Sequence, residues 1–353
     1  MRFGRAVVVA VGVLSWGCAD EKVSPLGDSD EGAPDLPIDF IPEAEEPLRF
    51  VALGDGGDGG ERQFKVAAAM FDVCEKRGGC AFAIYAGDNI YPSGPKSLFD
   101  PTFVHAFEEP YKALKMPFYV ALGNHDYGGN GSGFDTAVAS REVEYTKLSS
   151  RWRMPERYWN KLETSPEDGS TLLELFVLDT TYILFTGDDD QQRWLDAAIK
   201  KSPATWRIAV GHHPYLSNGR HGSAGAYDGR DASDARSGVW VKGFFEESVC
   251  GKVDMYISGH DHDLQWLHKS CDVELVVTGA GAKVSTLAGS THPTYFQEDE
   301  LGGFLLVELT HDKLTGTLYD EDGKALFSRV VLKADAPSIV NPSRLGDARS
   351  AGQ

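Results

Sequence analysis

Five short apolar segments of the chain end in the same way, with a glycine followed directly by a carboxylate, amide or imidazole side chain. Such segments predict buried strands, and each glycine marks the end of a strand. The five endings are Gly54-Asp55, Gly87-Asp88, Gly123-Asn124, Gly211-His212 and Gly259-His260. Ligand-binding groups of open α/β sheets collect at the carboxyl ends of strands. Five endings of one kind therefore predict a single metal site.

The candidate ligands form a mixed set of oxygen and nitrogen donors. Two first-row cations that share a bridging ligand need roughly seven or eight protein donors, with positions left open for solvent and substrate. The chain supplies Asp55, Asp88, Tyr91, Asn124, His212, His260 and His262. Carboxylates mixed with imidazoles suit iron, zinc or manganese rather than magnesium or calcium, and a phenolate suits ferric iron. The set predicts a dinuclear centre.

Two further aspartates lie next to these ligands in the sequence. Asp58 follows Asp55 in a glycine-rich turn and is a rival ligand. Asp55 is preferred because it directly follows a strand and a glycine, as in the other segments. Asp261 lies between the two histidines of the last segment, and we expect it to orient an imidazole from outside the set of ligands.

Strands and helical segments alternate from residue 48 to residue 333, which predicts one α/β domain without internal repeats. Phe64, Ala67, Ala68 and Phe71 are spaced as on one face of a helix over residues 62–76. The other predicted elements are helices over 103–114, 191–200 and 239–249, strands over 172–178 and 274–278, and an antiparallel hairpin over 303–332 with a turn at 321–323.

The amino terminus is typical of an export signal over residues 1–19. A basic start precedes an apolar run that is too short to span a bilayer. Cys18 is a candidate lipidation site of a bacterial lipoprotein, and ordinary cleavage after Ala19 is the alternative. Residues 20–47 are acidic and rich in Pro and Gly, which predicts a linker, and residues 334–353 are expected to be a disordered tail. We expect a secreted, periplasmic or lipid-anchored protein.

The formal net charge of −19 argues against nucleic acid or an anionic membrane surface as a partner. A membrane contact is expected only through a lipid at Cys18, and the protein is expected to be a monomer. Cys74, Cys80, Cys250 and Cys271 form an even set, which in an exported chain predicts disulfides. The simplest pairing joins Cys74 to Cys80 and Cys250 to Cys271, although four cysteines allow three connectivities.

The five segments resemble those of the metallophosphoesterases (the calcineurin-like superfamily), and within them the purple acid phosphatases of the small tartrate-resistant type. A tyrosine three residues after the second-segment aspartate, here Tyr91, is the mark of purple acid phosphatases. Similarity extends to Leu264-Gln265-Trp266, Thr278-Gly279-Ala280-Gly281 and Leu301-Gly302-Gly303-Phe304. The resemblance covers about residues 48–333. It implies an α/β fold, a four-layer α-β-β-α sandwich of two mixed sheets flanked by helices.

The resemblance also implies roles for individual residues. Fe(III) would be held by Asp55, Asp88, Tyr91 and His262. A divalent Fe, Zn or Mn ion would be held by Asp88, Asn124, His212 and His260, with Asp88 as the bridge. The implied catalytic residues are His125, His221 and Asp126. The two histidines would face the substrate phosphate, and the sequence leaves open which of them is the general acid.

The implied activity is that of an acid phosphatase, in which a metal-bound hydroxide attacks a phosphate monoester. A phosphodiesterase or nucleotidase on the same centre is one alternative, and a non-catalytic metal-containing surface binding protein is another. The presence of both His125 and His221 argues against the last. Two positions depart from the family pattern. Gly56 replaces an aromatic residue, which predicts an opened pocket wall, and His213 replaces a tyrosine, which leaves its role in substrate contact open.

Overall fold

The computed structural model describes residues 45–333. The predicted export signal, all but the last residues of the predicted linker, and the predicted tail after residue 333 lie outside the described residues. Among the described residues, no helix combines the length and the apolar character needed to cross a membrane.

Two seven-stranded mixed sheets form the centre of the protein. The strands are, in chain order, β1 (Leu48–Leu53), β2 (Phe82–Ala86), β3 (Phe118–Ala121), β4 (Trp152–Arg153), β5 (Trp159–Thr164), β6 (Thr171–Val177), β7 (Trp206–Val210), β8 (Met255–Ser258), β9 (Leu264–Ser270), β10 (Val273–Thr278), β11 (Thr294–Glu298), β12 (Gly303–Leu309), β13 (Lys313–Asp320) and β14 (Ala325–Leu332). The first sheet has the order β14-β13-β12-β1-β2-β3-β4, and the second has the order β11-β9-β10-β8-β7-β6-β5.

The central strands of both sheets are parallel. In the first sheet β1, β2, β3 and β4 run parallel, and in the second sheet β6, β7, β8 and β10 do so. Strands that are covered on both faces are apolar throughout, and every residue of β2 and β7 is buried. Phe82 stacks between Phe50 and Tyr119, with ring centroids 4.8 and 4.7 Å away. The continuous apolar runs in the sequence therefore mark these strands.

Helices cover the outer faces of the sheets. They are α1 (Glu61–Lys76), α2 (Thr136–Tyr145), α3 (Thr180–Thr186), α4 (Asp189–Lys201) and α5 (Val239–Phe244), with π-helical turns at Val104–Glu108 and Phe245–Val249. One apolar cluster lies between the two sheets, and two others join each sheet to its helices. The four-layer α-β-β-α sandwich that the sequence predicted is confirmed.

Three local predictions were wrong in detail. The buried face of α1 carries Val66, Met70 and Val73, whereas Phe64 is 43% exposed. This helix has apolar residues on more than one face, so spacing alone does not select the face that packs. The helix over 103–114 is reduced to the turn Val104–Glu108, and the hairpin over 303–332 is a three-stranded meander whose second turn follows Asp320.

Both disulfides of the simplest pairing are present. Cys74–Cys80 joins the end of α1 to the segment before β2, and Cys250–Cys271 joins the segment before β8 to the turn after β9. Each bond therefore fixes a connection between a helix and a strand on the outside of a sheet.

Candidate metal centre

The predicted ligands lie at the carboxyl ends of β1, β2, β3, β7 and β8, where the two sheets meet. Three of these ligands have an unusual backbone conformation. Asp55, Asp88 and His260 have positive φ angles of 56°, 54° and 72°. Non-glycine residues seldom adopt this left-handed region, and such residues concentrate at functional sites. The loops of these three residues thus turn sharply at the ligand itself.

The glycines before the ligands are needed for close approach. A Cβ added to Gly54 would lie 2.9 Å from the Cα of Gly259, and one added to Gly123 would lie 2.2 Å from Oδ1 of Asp88. Real Cβ atoms do not come this close to other heavy atoms. The repeated glycine in the five segments therefore has a steric cause, because any side chain there would push the ligand loops apart.

One group of donors is formed by Tyr91, Asp55 and His262. The hydroxyl of Tyr91 donates to Oδ1 of Asp55 at 3.1 Å and lies 3.3 Å from Nε2 of His262. The same carboxylate oxygen is 3.5 Å from Nε2 of His262. These three side chains come from three different loops, and their donor atoms face a common point.

A second group is formed by Asn124, His212 and His260. Oδ1 of Asn124 lies 2.8 Å from Nε2 of His212 and 3.0 Å from Nδ1 of His260, and the two nitrogens are 3.1 Å apart. Metal–nitrogen bonds of about 2.0–2.1 Å place neighbouring ligand atoms about 3 Å apart. Both groups therefore have the spacing of atoms that surround a metal ion.

Asp88 lies beside both groups. Its Oδ1 is 3.5 Å from Nε2 of His212, and the hydroxyl of Tyr91 is near enough to its carboxylate to help lower the pKa of Asp88. One oxygen each of Asp55 and Asp88 and one ring nitrogen of His212 all lie within 4.8 Å of one another. This is the place that a bridging carboxylate would take.

Backbone groups orient the ligands. Nδ1 of His212 lies 3.0 Å from the carbonyl oxygen of Ala86, which leaves Nε2 free to bind a metal. The backbone N–H of His260 donates to Oδ2 of Asp55 at 2.8 Å, and that of His125 donates to Oδ1 of Asp88 at 2.9 Å. Each carboxylate is therefore held by a hydrogen bond from another ligand loop.

The site is buried and rich in negative charge. Burial opposes ionisation of Asp88, but His212, His125 and the backbone N–H of His125 keep its pKa below the ordinary value. Burial, together with Asp55 and Asp88, raises the pKa of Tyr91 well above its ordinary value. A buried phenol beside two carboxylates needs a strong positive charge before it ionises. The donor set thus fits metal cations, and the phenol fits a highly charged one.

His125 and His221 lie at a cavity of about 220 Å³ next to these ligands. Nδ1 of His125 is 2.6 Å from the carbonyl oxygen of Pro92, and its Nε2 is 3.8 Å from Oδ2 of Asp88. Nδ1 of His221 is 2.7 Å from Oδ1 of Asp228. In both rings Nδ1 is engaged, so Nε2 is the nitrogen available for proton transfer.

Asp126, predicted to be catalytic, does not line this cavity. It is fully buried and accepts hydrogen bonds from the backbone N–H groups of Gly123, Asn89 and Ile90. The resemblance implied a catalytic role, but its contacts fix the loops that carry Asp88 and Asn124. These contacts indicate a group that positions the ligand loops, and a catalytic role of Asp126 stays a prediction.

The neighbouring aspartates are also placed differently from one another. Oδ1 of Asp58 accepts from the backbone N–H of Gly60 at 2.7 Å, just before α1, so Asp55 and not Asp58 joins the donors. Asp261 was expected to orient an imidazole, but its Oδ1 accepts from the backbone N–H of His221 at 2.6 Å. It therefore fixes the loop that carries His221.

The two departures from the family pattern have different outcomes. An added Cβ at Gly56 would lie 2.6 Å from the hydroxyl oxygen of Tyr111 and 3.0 Å from that of Tyr85. The expectation of an opened pocket wall is wrong, because these two buried tyrosines fill the space that a side chain at position 56 would take. His213 is buried with Nδ1 3.0 Å from Oγ1 of Thr180, and it lines the cavity.

Sequence reasoning missed two residues that support the site. The carboxylate of Asp228 is hydrogen-bonded to the ring of His221. In the sequence, only its position inside a loop rich in Gly and Ser pointed to a role in the site. Oγ1 of Thr180 accepts from the backbone N–H groups of His212 and His213, at 3.2 and 3.0 Å. Thr180 follows β6, a strand end without a glycine, so it did not share the pattern of the five segments.

Comparisons with known proteins agree with this geometry. The model of the calcineurin-like phosphoesterase family matches residues 48–264, which contain all seven predicted ligands. Human tartrate-resistant acid phosphatase type 5 is 29% identical over 318 residues, which cover 80% of this chain and 90% of the relative. Purple acid phosphatase 7 of Arabidopsis thaliana is 30% identical over 321 residues, which cover 83% of this chain and 89% of the relative.

A solved structure supports the fold. GAP50, described as the anchor in the inner membrane complex of Plasmodium, aligns with a TM-score of 0.66 at 19% identity, over 82% of this chain and 89% of its own. At this identity the likeness concerns the fold alone. The family match over more than half of the chain, with the relatives above, shows that the chain belongs to the calcineurin-like phosphoesterase family.

Proposed function

We propose that this protein is an acid phosphatase that hydrolyses phosphate monoesters at a dinuclear Fe(III)–M(II) centre, where M is Fe, Zn or Mn. The observation that carries the proposal is the position of Asp88 between two groups of donors, one of which contains a phenol. The names of the relatives, which are tartrate-resistant and purple acid phosphatases, support the same activity.

In this proposal the trivalent ion is held by Asp55, Tyr91, His262 and Asp88, and the divalent ion by Asn124, His212, His260 and Asp88. Bound there, the two ions would activate a water molecule for attack on phosphorus and neutralise charge on the phosphate oxygens. The buried carboxylates hold the site in a fixed arrangement, so little reorganisation is needed during the reaction.

His125 and His221 contact the phosphate ester from the cavity side and supply protons. His221 is the better candidate for the general acid. Burial favours its neutral form, but Asp228 and Asp261 raise the pKa of His221 above the ordinary value. A protonated imidazole is therefore available in mild acid, and its Nε2 can donate a proton to the leaving alcohol.

The cavity suits a small ester. It is lined by the loop after His125, by Leu184 and Phe185 of α3, and by Arg230 and Arg236 of a second loop. Arg230 and Arg236 are each paired with Asp234, and their remaining N–H groups can contact an anionic substrate. The apolar side chains of α3 leave room for the organic part of the ester.

The proposal extends to the whole chain. Residues 48–333 form the phosphoesterase domain, preceded by an export signal and a linker. The two disulfides support a location outside the cytoplasm, since such bonds persist in oxidising compartments.

The test is a side-by-side assay of phosphate mono- and diesters, from acid to neutral pH, on purified protein of measured metal content. We expect faster monoester hydrolysis with an acid optimum, and a visible phenolate-to-iron band that Tyr91→Phe removes. Tyr295→Phe, an exposed tyrosine on β11, is the matched control and should keep the band. Faster diester hydrolysis would replace the proposed substrate class, and fully metallated protein that hydrolyses no ester would overturn the proposal.

A further inference from the structure

A lysine lies directly against the tyrosine of the metal centre. The side-chain nitrogen of Lys283 is 3.1 Å from the centroid of the Tyr91 ring. Aromatic rings carry negative potential on their faces and attract an ammonium group placed there. The attraction increases when the ring itself carries negative charge, as a phenolate does. The contact therefore places a positive charge over the ring of the predicted iron ligand.

The position of Lys283 is fixed by the ligand loops. It follows β10 in a turn whose Gly281 donates its backbone N–H to the carbonyl oxygen of Gly54 at 3.2 Å. Two residues after the lysine, the backbone N–H of Ser285 donates to the carbonyl oxygen of His262 at 2.9 Å. The turn is thus attached to the loops of Asp55 and His262, which with Tyr91 form one donor group.

Close packing keeps this turn in place. A Cβ added to Gly279 would lie 2.1 Å from the carbonyl oxygen of Asp261 and 2.8 Å from Oδ2 of Asp55. The backbone after β10 therefore rests on the ligand loops themselves. The backbone of Lys283 is therefore held beside the centre, and its side chain is partly buried there.

Burial lowers the pKa of Lys283 below its ordinary value, and the charges of Asp58, Asp88 and Asp55 oppose that shift. The other groups that face Tyr91 are Asp55, which accepts its hydrogen bond, and the rings of His125 and His262. Lysine keeps its charge throughout the acid and neutral range. The ammonium of Lys283 thus lies as a positive charge against the ring of Tyr91.

We propose that Lys283 is a positioning residue of the ferric site, whose ammonium over the ring of Tyr91 sets how strongly the tyrosine oxygen donates to the trivalent ion. The proposal rests on the iron centre proposed above. A positive charge over the ring lowers the energy of the phenolate orbitals. It lowers the energy of the iron orbitals less, because the iron ion lies farther from the charge. More energy is then needed to move an electron from phenolate to iron, so the visible band lies at shorter wavelength.

The experiment compares the visible spectrum and the reduction potential of the iron-loaded wild type with those of three variants. K283M and K283Q remove the charge with side chains of different shape, and K283R keeps it. Both neutral variants should shift the band to longer wavelength and lower the reduction potential, and K283R should retain the wild-type values. K313M, which removes a charge from an exposed position of β13, is the matched control and should change neither.

The outcomes separate the two proposals. A band that is present in the wild type, absent in Tyr91→Phe and unmoved in both neutral variants would overturn the role of Lys283 and leave the iron centre intact. A shift of equal size in K283R would show that packing rather than charge is responsible, and would also overturn it. An iron-loaded wild type without any band removable by Tyr91→Phe would refute the iron–tyrosinate centre itself, and the role of Lys283 with it.

Discussion

The hydroxyl of Tyr127 donates a hydrogen bond to Oδ2 of Asp179 at 2.5 Å, and so joins a loop of the first sheet to a loop of the second. Tyr127 lies in the turn after Asn124 and His125, and Asp179 precedes Thr180, which holds the backbone of His212. The two halves of the second donor group are thereby connected. This buried bond adds to the direct contacts of Asn124 with His212 and His260.

Removal of this bond is expected to weaken both the fold and the metal site. Tyr127→Phe leaves an oxygen of buried Asp179 with only Arg157 as partner, which should cost about 1–3 kcal/mol in the free energy of unfolding. It should also speed the loss of metal to a chelator. Urea denaturation and chelation kinetics measure the two effects. Tyr145→Phe, whose hydroxyl bonds to Glu108 on the outer side, is the control and should retain metal as the wild type does. Unchanged retention in Tyr127→Phe would contradict the link.

The alkaline limb of the pH profile should depend on Asp228. The protonated form of His221 is the proton donor, and Asp228 helps to raise the pKa of His221, so this form persists to higher pH. Asp228→Asn lowers that pKa, and monoester hydrolysis should then decline at lower pH than in the wild type. The profile of kcat against pH measures the shift. Asp231→Asn, an exposed aspartate of the same loop, should leave the limb in place. A limb that stays unmoved in Asp228→Asn would assign the general acid to another group.

The two disulfides should differ in their contribution to stability. Cys250–Cys271 spans 21 residues and Cys74–Cys80 spans 6. Loop-closure entropy predicts that replacing the first pair by alanine costs about 3 kcal/mol and replacing the second costs about 2 kcal/mol. Urea denaturation of the two double variants tests the order. Equal losses, or a larger loss for the short loop, would show that contacts in the folded state dominate.

The sequence predicted the buried strands, the disulfides and the candidate donors because those features leave local signals, whereas the four-layer sandwich was implied by the resemblance to metallophosphoesterases. A buried parallel strand is apolar throughout, as in β2, and a glycine is required where a ligand loop approaches another, as at Gly123. Each of the five ligand loops carries both signals. Their repetition made the prediction specific.

The rest depends on contacts between residues far apart in the chain. Nothing near Asp126 indicates that its oxygens are occupied by backbone N–H groups, and nothing near Lys283 indicates that it covers Tyr91. The rest of the fold decides which apolar side of α1 packs against the sheet. It therefore also decides that Phe64 is exposed. These relationships follow from the fold and have no pattern in the sequence.

The central claim is that Asp88 joins two metal ions, and the metal content of the purified protein tests it most directly. Elemental analysis should find about two metal ions per chain, at least one of them iron. Asp88→Asn should lose metal and at least about 100-fold of the activity, since even residues outside the ligand set contribute 10–100-fold. Asp58→Asn, which changes a carboxylate only at the start of α1, should keep both. Equal metal content and activity in Asp88→Asn and the wild type would contradict the account.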